Sequence, residues 1–122
     1  MLQVLLIDDD PAQLNVREAV LRDGGFEVCS ATTAEEALAY LQEPSSAATF
    51  GVIVTDHILP GDSGSEFVRQ LRALDSRIPV IVITGLAEAE PEYAGLGVSF
   101  LVKPCPPEQL IAAVQEKLDT HS

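Results

Sequence analysis

The sequence predicts an open α/β domain, a doubly wound sheet of five parallel strands in the order 2-1-3-4-5 with helices on both faces. Two kinds of segment alternate along the chain. One is a short apolar run with no polar residue at every second position, such as Val52-Ile53-Val54 or Val80-Ile81-Val82-Ile83, which marks a strand buried on both faces. The other is an amphipathic helical pattern. Such alternation implies parallel strands joined by right-handed crossovers, and 2-1-3-4-5 is the simplest closure. The third observation is that four strands end on a polar or charged group, at Asp8, Asp56, Thr84 and Lys103.

Gln3 to Ile7 is the first strand and stops at Asp8-Asp9-Asp10. Pro11 opens a helix, because proline is favoured at the first helical position and acids suit the positive helix end. Leu14, Ala19 or Val20, and Leu21 form its inner face, and Gly24-Gly25 ends it. Phe26 to Ala31 is a short second strand, of which Cys29 is a small apolar member. Thr33 and Glu36 form a capping-box pattern before a helix with Ala37, Leu38 and Leu41 inward. Residues 44–49 read as a loop, and the third strand then ends at Asp56, where Leu59-Pro60-Gly61 forces another loop.

Ser63 and Glu66 repeat the capping pattern ahead of an amphipathic helix with Phe67, Val68, Leu71 and Leu74 inward. Pro79 starts the fourth strand, which ends at Thr84-Gly85. Between Leu86 and Gly97, Pro91, Gly95 and Gly97 make any helix short or irregular, so few helical hydrogen bonds restrain this stretch. Ser99 to Val102 is the fifth strand. Pro106-Pro107 opens the last helix, with Leu110, Ile111, Val114 and Leu118 inward and an end near Leu118. Residues 1–119 read as one domain, without repeat or linker, and 120–122 as a polar tail containing His121.

Composition narrows the function. A chain of 122 residues with 47% hydrophobic content is a folded domain that buries roughly two-thirds of its unfolded surface. No apolar run approaches the roughly 20 residues of a membrane span, and the apolar N-terminus lacks a basic leader and a cleavage site, so it reads as a strand. Cys29 and Cys105 read as free thiols, which together with the missing signal predicts a cytoplasmic protein. The net charge of −12, with no basic stripe, argues against direct nucleic-acid binding.

All parallel strands deliver their carboxyl ends to one sheet edge, where ligands bind in open α/β folds. Asp8 and Asp9, Asp56, Thr84 and Lys103 therefore converge if the order is 2-1-3-4-5. Carboxylates gathered there repel one another and raise a pKa unless a cation intervenes. A hard divalent cation such as Mg²⁺ takes one or two carboxylates together with phosphate oxygens. Lys103 offers a point charge, and Thr84 a neutral hydroxyl donor. A carboxylate nucleophile, a metal, a cation and a neutral donor are the parts of phosphoryl transfer.

In Ile7-Asp8-Asp9, Thr55-Asp56 followed by Leu59-Pro60-Gly61 and Gly64, Ile83-Thr84-Gly85, and Phe100-Leu101-Val102-Lys103-Pro104, taken in order, the chain resembles the receiver domain of two-component response regulators, of the chemotaxis-receiver kind. The resemblance covers the whole chain and implies a flavodoxin-like receiver fold. It implies that Asp56 accepts a phosphoryl group from a sensor histidine kinase or phosphotransfer protein, in a self-catalysed step rather than as a true enzyme. By the same resemblance Asp9 and Asp56 bind Mg²⁺ directly, Asp8 acts mainly through water, and the Ile58 carbonyl completes the protein ligands. Thr84 and Lys103 hold the phosphoryl oxygens, Thr84 and Phe100 switch an unidentified effector protein or domain, and Lys103-Pro104 is a cis peptide.

Several residues depart from that pattern. Cys105 stands where an aromatic side chain is common, and the stretch from Thr84 to Lys103, which in the family carries part of the output surface, is short and holds Pro91. Asp10 is an extra acid, read as a helix cap. Ile58 is an apolar residue suited to shielding an acyl phosphate from water, and His57 reads as an exposed side chain beside a strand end. Two rival readings stand beside the receiver. A haloacid-dehalogenase-type phosphohydrolase would use Asp8 as nucleophile and Asp10 as general acid, but it gives Asp56 no role, and only Glu108, Glu116 and Asp119 follow Lys103 as acids. A receiver-like scaffold that is never phosphorylated would leave the acids, Thr84 and Lys103 unexplained.

Overall fold

The apolar runs form five strands: β1 (Gln3–Ile7), β2 (Glu27–Ala31), β3 (Phe50–Asp56), β4 (Val80–Thr84) and β5 (Val98–Val102). They pair in parallel in the order β2-β1-β3-β4-β5. Among the described residues, four α-helices connect or follow them: α1 (Pro11–Asp23), α2 (Ala34–Gln42), α3 (Gly64–Ala73) and α4 (Pro107–His121). The computed structural model describes residues 3–42, 50–57, 63–74, 77–85 and 87–121. No helix among them is long and apolar enough to cross a membrane.

Strand alternation divides the buried side chains between two cores. Leu5, Ile7, Ile53, Val80 and Val82 face α2 and α3, packing with Phe67, Val68 and Leu71. Val4, Leu6, Val52, Val54, Ile81 and Ile83 face α1 and α4, packing with Leu14, Leu21, Leu110 and Val114. Because both faces are covered, the central strands carry no polar residue until they end. In-register pairing of Ile7 with Thr55, Asp56 with Ile83, and Thr84 with Val102 brings those ends to one edge.

The expected caps form. Asp10 is the N-cap of α1 and its carboxylate accepts from the Ala12 N–H at 3.0 Å. Ser63 caps α3 by accepting from Glu66 N–H. Thr33 Oγ1 accepts from Glu36 N–H at 3.1 Å, while the Glu36 carboxylate reaches back to Thr32 N–H at 2.8 Å. The Lys103-Pro104 peptide is cis, as the resemblance implies.

Some expectations need correction. Leu74 is exposed at the C-cap of α3 rather than inward, because the helix ends one residue before it. On α1, Val20 is half-buried and Ala19 faces outward, so Val20 is the inner residue of the pair. The last helix continues past Leu118 to His121.

The stretch after β4 is a 3₁₀ helix, Ala87–Tyr93, with Pro91 inside it. Glycine at 95 and 97 adopts positive φ (78° and 68°) in the turn that follows, a backbone region closed to most side chains. Two arginines of α3 hold this region from outside. Arg69 donates to the Glu92 carbonyl at 2.9 Å. Arg72 donates to the carbonyls of Leu96 (2.8 Å), Ile78 (2.8 Å) and Gly97 (3.3 Å). Side chains thus tie this irregular stretch to α3, a device invisible in local propensity.

Removing the Arg72 head while keeping an apolar stem tests that clamp. Arg72→Met should lower stability by on the order of 2–3 kcal/mol in equilibrium denaturation, since it leaves three carbonyls without a charged donor. Hydrogen exchange should quicken in residues 94–98, and an unchanged exchange pattern would show that the clamp restrains nothing.

Candidate functional site

Asp8, Asp9, Asp56, Thr84 and Lys103 line one cleft of about 320 Å³ at the carboxyl edge of the sheet. Asp8 follows β1 on the parity of Val4 and Leu6, and Asp56 ends β3 on the parity of Val52 and Val54, so both carboxylates lie on the α1 side. Asp8 is fully buried and Asp56 nearly so, whereas Asp9 is exposed. One carboxylate oxygen from each lies within 4.8 Å of the other two. Thr84 is buried at the end of β4, and Lys103 Nζ is 3.3 Å from Asp56 Oδ1.

Sequence reasoning missed one member of this group. Arg17 on α1 donates from Nη1 to Asp8 Oδ2 at 2.6 Å and to Asp56 Oδ1 at 3.2 Å. Its signal was present in the spacing: Leu14, Arg17 and Leu21 recur at helical intervals, which puts a base on the inward stripe of the helix behind the acids. Asp56 Oδ1 is therefore within reach of two cations, Arg17 and Lys103.

The Asp8 carboxyl is pushed up from 3.8 to about 6 by its burial, opposed by the Asp10 N–H that it accepts at 2.9 Å and reinforced by its neighbour Asp56, with Arg17 pulling the other way. Asp10 itself is exposed and engaged in capping α1. The Ile58 carbonyl lies outside the described residues.

His57 overturns its reading as an exposed side chain: it is buried, on the side of the sheet opposite Asp56. Its Nδ1 lies 2.8 Å from the Tyr93 hydroxyl, and Nε2 lies 3.5 Å from Glu92 Oε2. Ser65 Oγ donates to the other Glu92 oxygen at 3.2 Å. Tyr93 comes from the 3₁₀ segment, 36 residues away in sequence, which is why local pattern gave no sign of this burial. Burial also holds the Tyr93 phenol protonated far above its ordinary range. Phe100, half-buried on β5, meets Tyr93 edge-on at 5.3 Å between ring centroids. A side chain at Gly64 would collide with the Tyr93 hydroxyl and the Asp56 carbonyl, so Gly64 is what lets these groups close together.

The description "response regulator receiver domain" matches residues 4–115. The chain belongs to that family. It is 35% identical over 122 residues to the C4-dicarboxylate transport transcriptional regulatory protein DctD of Pseudomonas aeruginosa, covering 98% of this chain and 26% of that protein. It is 36% identical over 119 residues to the transcriptional regulatory protein PrrA of Mycobacterium bovis, covering 95% of this chain and 49% of that protein. The receiver thus spans about a quarter to a half of the curated relatives it matches. Among solved structures, the chemotaxis response regulator CheY4 of Vibrio cholerae superposes with a TM-score of 0.83 at 32% identity, covering 97% of this chain and 99% of that one. Family and fold place the receiver in two-component signalling, and the phosphohydrolase reading is not favoured.

The electrostatics of the cleft set a pH dependence. The folded pKa of Asp8 is raised, so the stability gained by keeping it protonated is complete below about 3.8 and is lost as pH rises through about 6. In EDTA, Asp8→Asn should therefore be more stable than the parent at pH 7.5, by on the order of 1–3 kcal/mol. The difference should shrink between pH 6 and pH 4. Denaturant titrations across that range measure it, and a pH-independent difference would assign the effect to something other than Asp8 ionisation.

Proposed function

We propose that Asp56 is the phosphoacceptor of this receiver and that a phospho-histidine on a sensor kinase or phosphotransfer protein is the donor. The observation that carries the reading is the meeting of three carboxylates and Lys103 at one strand edge, with Lys103 Nζ 3.3 Å from Asp56 Oδ1. An Asp56 oxygen forms the new P–O bond as the P–N bond of the donor breaks, and the departing imidazole nitrogen keeps the electron pair and takes a proton from solvent. Lys103, in the same cleft, would meet a phosphoryl oxygen, and Thr84 would offer a hydroxyl from the neighbouring strand end.

The donor set suits Mg²⁺: three carboxylates with converging oxygens are hard ligands, and the exposed side of Asp9 leaves room for water. Asp9 and Asp56 would hold the ion directly, with Asp8 behind them and the Ile58 carbonyl as a further ligand. When bound, Mg²⁺ supplies positive charge against the charge gathered on the transferring group. Asp8, Asp9 and Asp56 orient that charge, and Lys103 balances it from the other side of the cleft.

Output would pass through the opposite face. Thr84 ends β4 on the parity of Val80 and Val82, the face on which Phe100 packs. A Thr84 hydroxyl drawn toward a phosphoryl oxygen leaves room that Phe100 fills, and Tyr93, in edge contact with Phe100, then shifts with it. Although the relatives are named as transcriptional regulators, a charge of −12 without a basic stripe favours an effector reached by protein contact, not by direct nucleic-acid binding of this domain.

Acetyl phosphate with Mg²⁺ should add one phosphoryl mass to the intact protein, and Asp56→Asn should abolish that gain. An Asp56→Asn protein that is labelled as fast as the parent would sink the assignment.

Beryllofluoride with Mg²⁺, a stable mimic of the phosphoryl group, should change hydrogen exchange or amide shifts across residues 87–100. Thr84→Ala should still accept phosphate from acetyl phosphate but show a reduced response in that segment. A mimic bound at Asp56 with this segment unmoved would make the chain a phosphate relay or sink rather than a switch through this face.

A further inference from the structure

Arg17 is placed where a divalent cation and the receiver reading both make a demand. Its Nη1 lies between two of the three converging carboxylates, engaging Asp8 Oδ2 at 2.6 Å and Asp56 Oδ1 at 3.2 Å. Its side chain is only 14% exposed, and the acids it joins are 0% and 7% exposed, so water screens this pairing little. The reason for the burial is the helix. Arg17 sits on the inward stripe of α1 between Leu14 and Leu21, both buried. Its stem lines an apolar cavity of about 310 Å³ between α1 and α4, together with Val16, Val20, Cys105 and Leu110. From that stem the guanidinium reaches the acids at the strand ends.

We propose that Arg17 is a built-in counter-ion that competes with the divalent cation for Asp8 and Asp56, and so sets the cation concentration at which the receiver can be phosphorylated. The inference rests on the receiver reading given above. The competition is for lone pairs: a carboxylate oxygen that accepts a 2.6 Å bond from a guanidinium is not also open to a metal ion or to a metal-bound water on that side. The cation-free receiver is held together by Arg17, which offsets the repulsion between Asp8 and Asp56. Loading the cation first requires breaking the Arg17 pairs, which lowers the apparent affinity by the fraction of molecules in which Arg17 is withdrawn. The cavity beside its stem, whose lining includes the amide of Gln13, gives the side chain room to withdraw without disturbing the sheet. Lys103 does not duplicate this role, because its ammonium reaches Asp56 and, among the described residues, pairs with neither Asp8 nor Asp9.

The test compares the intact parent with Arg17→Met and Arg17→Lys by calorimetric titration with MgCl₂ at constant ionic strength, and by thermal melts in EDTA. Arg17→Met should bind Mg²⁺ on the order of tenfold more tightly, with a lower melting temperature in EDTA and a larger rise on adding Mg²⁺. Arg17→Lys, which keeps the charge but loses the fork, should lie between the two. A measurement on the parent alone keeps the question open to decision if Arg17→Met does not fold: the ¹⁵N–¹H signal of Arg17 Nε should move on Mg²⁺ addition, in step with occupancy. Equal or weaker Mg²⁺ binding in Arg17→Met, or an Arg17 signal unmoved at saturation, overturns the proposal while phosphorylation of Asp56 by acetyl phosphate leaves the receiver reading standing. No Mg²⁺ binding by the parent or the variants, with no phosphoryl uptake, overturns both.

Discussion

Like charge held at close range governs this molecule. Three carboxylates offer oxygens within 4.8 Å of one another at the end of a largely apolar sheet, and cations reach them from two directions. One is Lys103, delivered by the end of β5. The other is Arg17, delivered by the inner face of α1. Parallel pairing makes this crowding unavoidable, since every strand end reaches the same edge, and the two apolar cores keep the strands in the register that aligns them.

The second constraint is steric and lies on the other side of the same strand ends. Tyr93 is carried into the interior by a 3₁₀ turn rather than by a full helix, and it fits only because residue 64 has no side chain. His57 holds the phenol and Glu92 stands beside the imidazole, so a polar chain runs from the residue after Asp56 to the surface of the 3₁₀ segment. Arg69 and Arg72 tie the same segment to α3. The irregular stretch is therefore anchored at discrete side-chain contacts, which suits a unit that moves between two packings rather than one that frays.

The strands, their order and the acids at their ends were legible because they depend on local runs and on period-two burial. Val52-Ile53-Val54 has no reading as a solvent-facing strand, and the acid two residues after such a run stands at its mouth. Arg17 was not read as part of the site because a single base on a helix resembles an outward residue until the stripe through Leu14 and Leu21 is traced. His57 was misread for a different reason. Its partners, Tyr93 and Glu92, come from a segment whose proline and glycines erase the helical period that would have flagged an inward face. Leu74 erred in the opposite sense: the apolar period continued into it, but the backbone had already left the helix. Pattern reading thus succeeded where neighbours along the chain determine burial and failed where distant partners do.

Asp56 and His57 are adjacent in the chain yet engage opposite layers, the first meeting Arg17 of α1 and the second Tyr93 of the 3₁₀ segment. With Arg17 and output through the 3₁₀ face both acting as proposed, the ionic conditions for charging the site and the surface that broadcasts the result are separated by the thickness of one sheet. Descendants of this sequence can drift at position 17 and alter their cation threshold without altering any residue of the broadcasting surface. Position 93 has no such freedom, because Tyr93 is buried against His57, Gly64 and Phe100. One peptide unit at the end of β3 thus joins a layer in which position 17 can vary to one in which the packing around Tyr93 cannot.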